Sequence, residues 1–283
     1  MDRPTENLVQ RAIEGDKNSL ETLIRQIQHR IYGLAIRMLW HPADAEDATQ
    51  EILVKIVTHL GSFRQESGFA TWCYRIAANH LLTTHKRRTE RMEMTFEWCE
   101  EEMHRGLART WPVSTPEAEQ SLIVEEVMIG CMQGLLLCLD RDLRITYVLG
   151  EIFEVNSREG AEILDISSAA FRKRLSRARS LLRDFMQTNC GLVKLSNPCR
   201  CDLQIPYATK TGVVNREKLL FAGHPRRDDR LPSILEGLEE ATELQRVAML
   251  FRRHPDYSAP DCFVQSVRRL IESKDFKLLT VEK

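Results

Sequence analysis

The chain has 283 residues, 43% of them hydrophobic, and a formal net charge of −1. That length accommodates about two domains, the apolar share excludes wholesale disorder, and near-neutrality excludes a surface uniformly coated in positive charge. No apolar run follows the first methionine and no long apolar stretch stands out, so neither a signal peptide nor a membrane span is expected. A cytoplasmic location follows, with the eight cysteines as thiols or metal ligands and not disulfides.

Leu20, Leu23, Ile24, Ile27, Ile31, Leu34 and Met38 recur at three- and four-residue intervals and predict a helix capped near Asn18-Ser19. Pro42 and Asp44 open a second helix that runs to Ile56 or Leu60. Residues 61–68 form a polar loop and 71–85 a further helix. Residues 90–116 lose the periodicity, gain acidic residues and prolines, and predict a linker. In the next helical block Ser157 is expected to cap a short helix over 158–164. Asp165-Ile166 then turns the chain, and Ser167 caps a longer helix through Leu182, which makes a helix-turn-helix. Strand signals are scarce. The expected fold is all-α: helical domains at 1–89 and 117–187, an acidic linker at 90–116, and a mostly helical C-terminal extension at 188–283.

Charge is segregated within this neutral total. Acidic residues dominate from Arg91 to Glu126, and Arg172, Lys173, Arg174, Arg177, Arg179 and Arg183 form a basic run. On the second helix Asp44, Asp47, Gln50, Glu51 and Lys55 share a face opposite Ala45, Ala48, Ile52 and Ile56. That face is either solvated cover for a core or a docking surface for a basic partner. The next helix combines rings, amides and positive charge: Trp72, Arg75, Asn79 and His80, then Lys86, Arg87 and Arg88. Such a mixture suits single-stranded nucleic acid, because rings stack on bases and cations follow the backbone. The preceding residues Phe63, Arg64, Gln65, Glu66 and Ser67 could hold one extruded base by its edge. At the helix-turn-helix, Ser167, Ser168, Ala169, Arg172 and Lys173 lie where a recognition helix meets base edges. Arg174, Arg177 and Arg179 suit phosphates.

The order Asp44-Ala45-Glu46-Asp47, Gln50-Glu51, Phe63-Arg64, then Phe69, Thr71-Trp72, Tyr74-Arg75-Ile76-Ala77 and Asn79 resembles the second conserved region of bacterial sigma factors. It is most similar to the extracytoplasmic-function group of the sigma-70 family. The stretch from Glu159 to Arg183 resembles that family's fourth region. The resemblance implies that the acidic helix binds the β′ subunit of core RNA polymerase. It further implies that the aromatic helix and its loop recognise and melt the −10 promoter element, and that the helix-turn-helix reads the −35 element. The linker would thread the polymerase cleft. Further implied partners are the β subunit and an anti-sigma or other regulatory protein. Thr83 stands where the family commonly has Asp, and Asp165 where it often has Gly, a position Asp tolerates.

No phosphate loop, nucleophile–base set or paired-carboxylate site is present, so the chain is not expected to be an enzyme. Two rival functions remain at this stage: a helix-turn-helix regulator that never touches polymerase, and a thiol- or metal-responsive interaction protein with an inactive body. The extension beyond Met186 exceeds what compact members of the family carry. Cys190, Cys199 and Cys201, with His224 or Cys262 as a fourth ligand, would suit zinc; a redox-responsive cluster and inert core cysteines are the alternatives. Cys73, Cys131 and Cys138 are expected in the core. Arg252, Arg253 and His254 are expected on a solvated surface. The extension is expected to be regulatory, either by masking the DNA-binding domains or by docking a partner.

Overall fold

The structure, a computed structural model, describes residues 3–84, 94–107, 117–225, 238, 241–252, 257–260 and 262–272. The described residues are helical and contain no strand; one isolated bridge pairs Cys190 with Cys199. In order come α1 (Arg3–Ile13), α2 (Lys17–Leu39), α3 (Pro42–His59), α4 (Phe69–Thr83), α5 (Phe96–Leu107) and α6 (Glu117–Leu137). They are followed by α7 (Arg141–Tyr147), α8 (Ser157–Leu164), α9 (Ser168–Asn189), α10 (Cys201–Lys210), α11 (Glu243–Arg252) and α12 (Cys262–Glu272). The expected all-α class holds.

Local chemistry sets most of the boundaries. Asp16 caps α2, accepting from the Asn18 N–H at 3.0 Å and the Ser19 hydroxyl at 2.7 Å, so the cap lies just ahead of the predicted Asn18-Ser19. Asn156, not Ser157, caps α8 through the N–H groups of Arg158 and Glu159, both at 3.0 Å. Ser167 caps α9 as expected, accepting from the Ala170 N–H at 3.1 Å.

Two expectations are corrected. The stretch 90–116 is not a plain linker, because Phe96–Leu107 is helical. Phe96, Cys99 and Met103 make an apolar stripe at helical spacing, which the abundance of acid had obscured. Phe96 packs on Phe185 of α9 at a centroid separation of 5.6 Å, and the Cys99 Sγ lies 3.4 Å from the Cys138 Sγ. Second, the chain does contain one helical segment, Gln120–Leu137 in α6, long and apolar enough to cross a membrane by length and composition. It is 61% buried within the protein, as befits a helix that is apolar on most sides because neighbours surround it.

One hydrophobic cluster runs from Val9 in α1 through α2, α3, α4, α6, α7 and α9 to Val267 in α12. Among the described residues, therefore, the blocks at 1–89 and 117–187 and the extension share one core. Arg144 of α7, 4% exposed, sits at the joint. It donates to the carbonyls of Met38 at 2.5 Å, Leu136 and Leu139 at 3.0 Å, and Leu137 at 3.3 Å. One guanidinium thus meets the C-terminal ends of both α2 and α6, where unsatisfied carbonyls favour a cation. Replacing Arg144 with Met should strand those carbonyls and lower stability by about 3 kcal/mol. Urea unfolding measures this, and a loss under ~1 kcal/mol would show that water replaces the guanidinium at little cost.

Candidate partner and nucleic-acid interfaces

On α3 the expected separation of faces is present. Ala45, Ala48, Ile52 and Ile56 are buried, whereas Asp47, Gln50, Glu51 and Lys55 are exposed and Asp44 is half-buried. Burial and the neighbouring Asp47 push the Glu46 carboxyl above its usual range. Lys55 donates to His80 Nδ1 at 2.8 Å, and the Glu51 carboxylate lies 3.6 Å from His80 Nε2.

That contact corrects one assignment. His80, expected to face nucleic acid, is 4% exposed and packed beneath α3. Cys73, Ala77, His80 and Leu81 form the inner stripe of α4, and His80 belongs to it by spacing. Phe63 is also mostly buried. Its ring packs at 5.3 Å from Trp72 and 5.7 Å from Phe69, forming an aromatic wedge under the loop. Trp72 is half-buried; Arg64, Gln65, Glu66 and Asn79 are exposed, and Ser67 is partly so. Gln65 has φ of +58°, in the left-handed region that non-glycine residues occupy at a cost of ~1 kcal/mol or more. Such a conformation is held only where its surroundings demand it. Lys86, Arg87 and Arg88 lie outside the described residues.

Arg75 is engaged elsewhere in the fold. Its Nε donates to the Glu162 carbonyl of α8 at 3.0 Å, and its guanidinium lies 3.6 Å from the Glu162 carboxylate. Arg141 fastens the end of the same helix, donating to the carbonyls of Leu82 at 3.2 Å and Thr84 at 2.5 Å. Helix α4 therefore packs along α8, the first helix of the helix-turn-helix.

The helix-turn-helix itself matches the expected geometry. Asp165 adopts φ +52° and ψ +49° at the turn. Gly160 leaves the space that the Phe171 ring of α9 fills, a space any Cβ would invade. Ser167, Ala169, Arg172, Lys173 and Arg177 are exposed at the start and along one side of α9, with Ser168 and Arg174 half-buried. Arg174 is paired with Asp142 at 3.0 Å. Arg179 donates to the buried Glu151 at 2.5 Å, and the same carboxylate takes Arg252 of α11 at 2.7 Å. Arg252 also lies 3.2 Å from Glu154; it is exposed, as expected, and is at the same time a tether, while Arg253 and His254 lie outside the described residues. Glu151, Glu162, Arg141 and Arg252 were not among the predicted residues; they matter through contacts distant in sequence.

Of the expected metal ligands, the Cys262 side chain lies outside the described residues. Among the described residues no group of three or more His, Cys, Asp or Glu side chains is placed to hold a metal ion. His224 instead stacks on Tyr32 at 5.5 Å with its Nε2 3.1 Å from the tyrosine hydroxyl, and meets the edge of Tyr257. The cysteine loop is stitched by its own polar groups. Gly191 N–H donates to the Cys199 carbonyl at 3.0 Å, and Arg200 donates to the carbonyls of Asn197 at 2.6 Å and Leu195 at 2.8 Å. A side chain at Gly191 would strike Arg200 and the Cys199 carbonyl. Burial pushes the Cys199 thiol up to about 11. Cys131, expected in the core, lies within electrostatic reach of Cys190, Cys199 and Cys201.

Residues 23–91 match the family of sigma-70 region 2. The chain is 30% identical over 185 residues to the RNA polymerase sigma-H factor of Pseudomonas aeruginosa, a match covering 64% of this chain and 93% of that protein. It is 31% identical over 184 residues to the ECF RNA polymerase sigma-E factor of Haemophilus influenzae, covering 64% and 94%. The ECF sigma-E factor of Escherichia coli K12 is 30% identical over 183 residues, covering 64% and 93%. An all-helical body carrying this second region and a helix-turn-helix defines a sigma factor. The chain belongs to the extracytoplasmic-function group of the sigma-70 family, with the role of an alternative sigma factor in transcription initiation. About a third of it has no counterpart in these relatives.

The extension's seat on α2 carries a pH dependence. Besides His224 on Tyr32, the Ala259 N–H donates to His29 Nδ1 at 2.9 Å. Burial holds the His224 pKa below its ordinary 6.5, so the folded state favours the neutral ring. The unfolded chain then binds more protons as pH falls through 6.5, and stability declines from there down to the lower folded value. Melting temperature should therefore fall between pH 7 and pH 5, and His224→Phe should flatten that slope. An unchanged slope would remove His224 from the seam.

Proposed function

We propose that the exposed ridge of α3, Asp44, Asp47, Gln50, Glu51 and Lys55, docks on the β′ subunit of core polymerase. The 62–68 loop and α4 then read and open the −10 element, and the N-terminal residues of α9 read the −35 element. The observation that carries this assignment is that the α3 ridge and the start of α9 are both open while their opposite faces are buried. The half-buried Trp72, backed by the buried rings of Phe63 and Phe69, supplies stacking surface worth ~1–3 kcal/mol per captured base. The protein acts in the cytoplasm, where polymerase and promoter DNA are.

The resting form is closed. Helix α8 covers α4 and holds Arg75, and α11 holds Arg179 through Glu151, so two expected DNA-contacting cations are occupied within the protein. Helix α12 packs on α2 and α3, and α10 on α5 and α6, which makes the extension a brace across the whole body. If only the open fraction binds promoter, apparent affinity is reduced by that fraction. The extension therefore regulates in cis by stabilising the closed form.

Reconstitution with core polymerase on a −35/−10 promoter tests the assignment. Asp47→Ala with Glu51→Ala should weaken polymerase capture about tenfold while leaving duplex binding by the helix-turn-helix intact; equal capture would overturn the docking ridge. Trp72→Ala should reduce permanganate-reactive melting more than closed-complex formation, and normal melting would remove Trp72 from the bubble. Arg252→Ala should raise promoter binding roughly fivefold, an effect of ~1 kcal/mol, by loosening the brace at Glu151. No change would show that the extension does not gate through this ion pair.

A further inference from the structure

Between α5, α6 and α10 lies a cavity of about 160 Å³. We infer that it is a binding site for a small, uncharged aromatic molecule. Trp40, Trp98, Met103, Val127, Cys131 and Phe221 supply its wall. Gly130 and Gly134 lower the α6 side: a Cβ at Gly130 would find its nearest neighbour, Phe221, at 3.9 Å. Cys131, expected in the core, is instead exposed and faces this space.

The polar groups around the cavity are engaged within the protein, except the Trp40 indole N–H, which is buried without a hydrogen-bond partner. The Glu126 carboxylate accepts the N–H groups of Leu220, Phe221 and Ala222 at 2.7 to 2.9 Å. Gln204 donates to the Met103 carbonyl at 2.9 Å, and Tyr207 donates to Glu102 at 2.8 Å. A charged ligand would lose its hydration here and find Glu126, Gln204 and Tyr207 already engaged, whereas an uncharged ring needs no such partner and can turn its face to the Trp40 N–H. The space opens to solvent beside Trp98, Cys131 and Val213, and its volume is close to the ~150 Å³ at which an apolar cavity holds benzene. The tryptophan and phenylalanine rings add edge and face contacts suited to an aromatic guest.

The position gives the site a consequence, which rests on the sigma-factor assignment and the closed resting form. Its wall is contributed by the end of α2, by α5, by α6 and by the extension at α10 and Phe221, so a guest bridges the body and the extension that braces it. A ligand that binds only the closed form at ten times its Kd multiplies the closed-to-open ratio by about elevenfold.

The test uses the full-length protein with benzene as probe and benzoate as the charged counterpart. Benzene should give saturable binding by ligand-observed NMR and raise the melting temperature by roughly 3 °C at ten times Kd, while benzoate should do neither. Gly130→Leu, which fills the space, should melt at or above the wild-type temperature and lose the response; if it does not fold, Cys131→Phe plugs the cavity from the next position. Promoter transcription by the reconstituted holoenzyme should fall about tenfold with benzene, and the filled variant should be insensitive. Absence of saturable binding, equal binding by the filled variant, or equal binding of benzoate would overturn the site. Because binding is read without transcription, a chain that binds benzene but never supports initiation overturns the sigma assignment and leaves the cavity site standing.

Discussion

The guanidinium of Arg144 is the constraint on which the rest of the arrangement depends. It reaches the Met38 carbonyl at the end of α2 and three carbonyls at or just past the end of α6, all from a position 4% exposed. Backbone acceptors at helix ends must be satisfied when buried. Here one side chain satisfies those of two helices from opposite halves of the protein. The relative placement of the halves is thereby set by a directional contact, not by apolar burial alone, which is non-directional.

From that joint outward, the closed body follows. With α2 and α6 fixed, α4 comes to lie along α8. The extension completes the enclosure at three places: α10 on the α5–α6 pair, α11 on α9, and α12 on α2 and α3. Each contact mixes apolar packing with at least one specific polar link, such as Gln204 to Met103, Arg252 to Glu151, and Ala259 to His29. A brace built this way is divided among several modest links, so it can hold a resting state and still yield to a large interface such as polymerase.

The parts of this fold legible in the sequence are those decided locally. The Asp165 turn, the Ser167 cap and the exposed α3 ridge depend on residues within one or two helical turns of each other, and periodicity or side-chain chemistry reveals them. The family motifs located the wedge around Trp72 for the same reason. Helix α5 was hidden because its three-residue apolar stripe is thin and embedded in carboxylates. His80 was misplaced because a motif rich in polar residues drew attention from its place on the inner stripe. The contacts of Arg75 with Glu162, Arg252 with Glu151 and His224 with Tyr32 span 87, 101 and 192 residues respectively. Nothing in local spacing marks such partners.

The link between α4 and α8 has an asymmetry with evolutionary weight. Arg75 spends its Nε on the carbonyl of Glu162, a main-chain group present whatever residue occupies that position. Substitutions at Glu162 therefore remove the weaker carboxylate contact at 3.6 Å and leave the stronger one in place. Random variation on the α8 side is buffered, whereas a single codon change at Arg75 erases both contacts at once. Arg75 is also a side chain the promoter is expected to need, so lineages that escaped closure by that route would forfeit the activity that closure restrains.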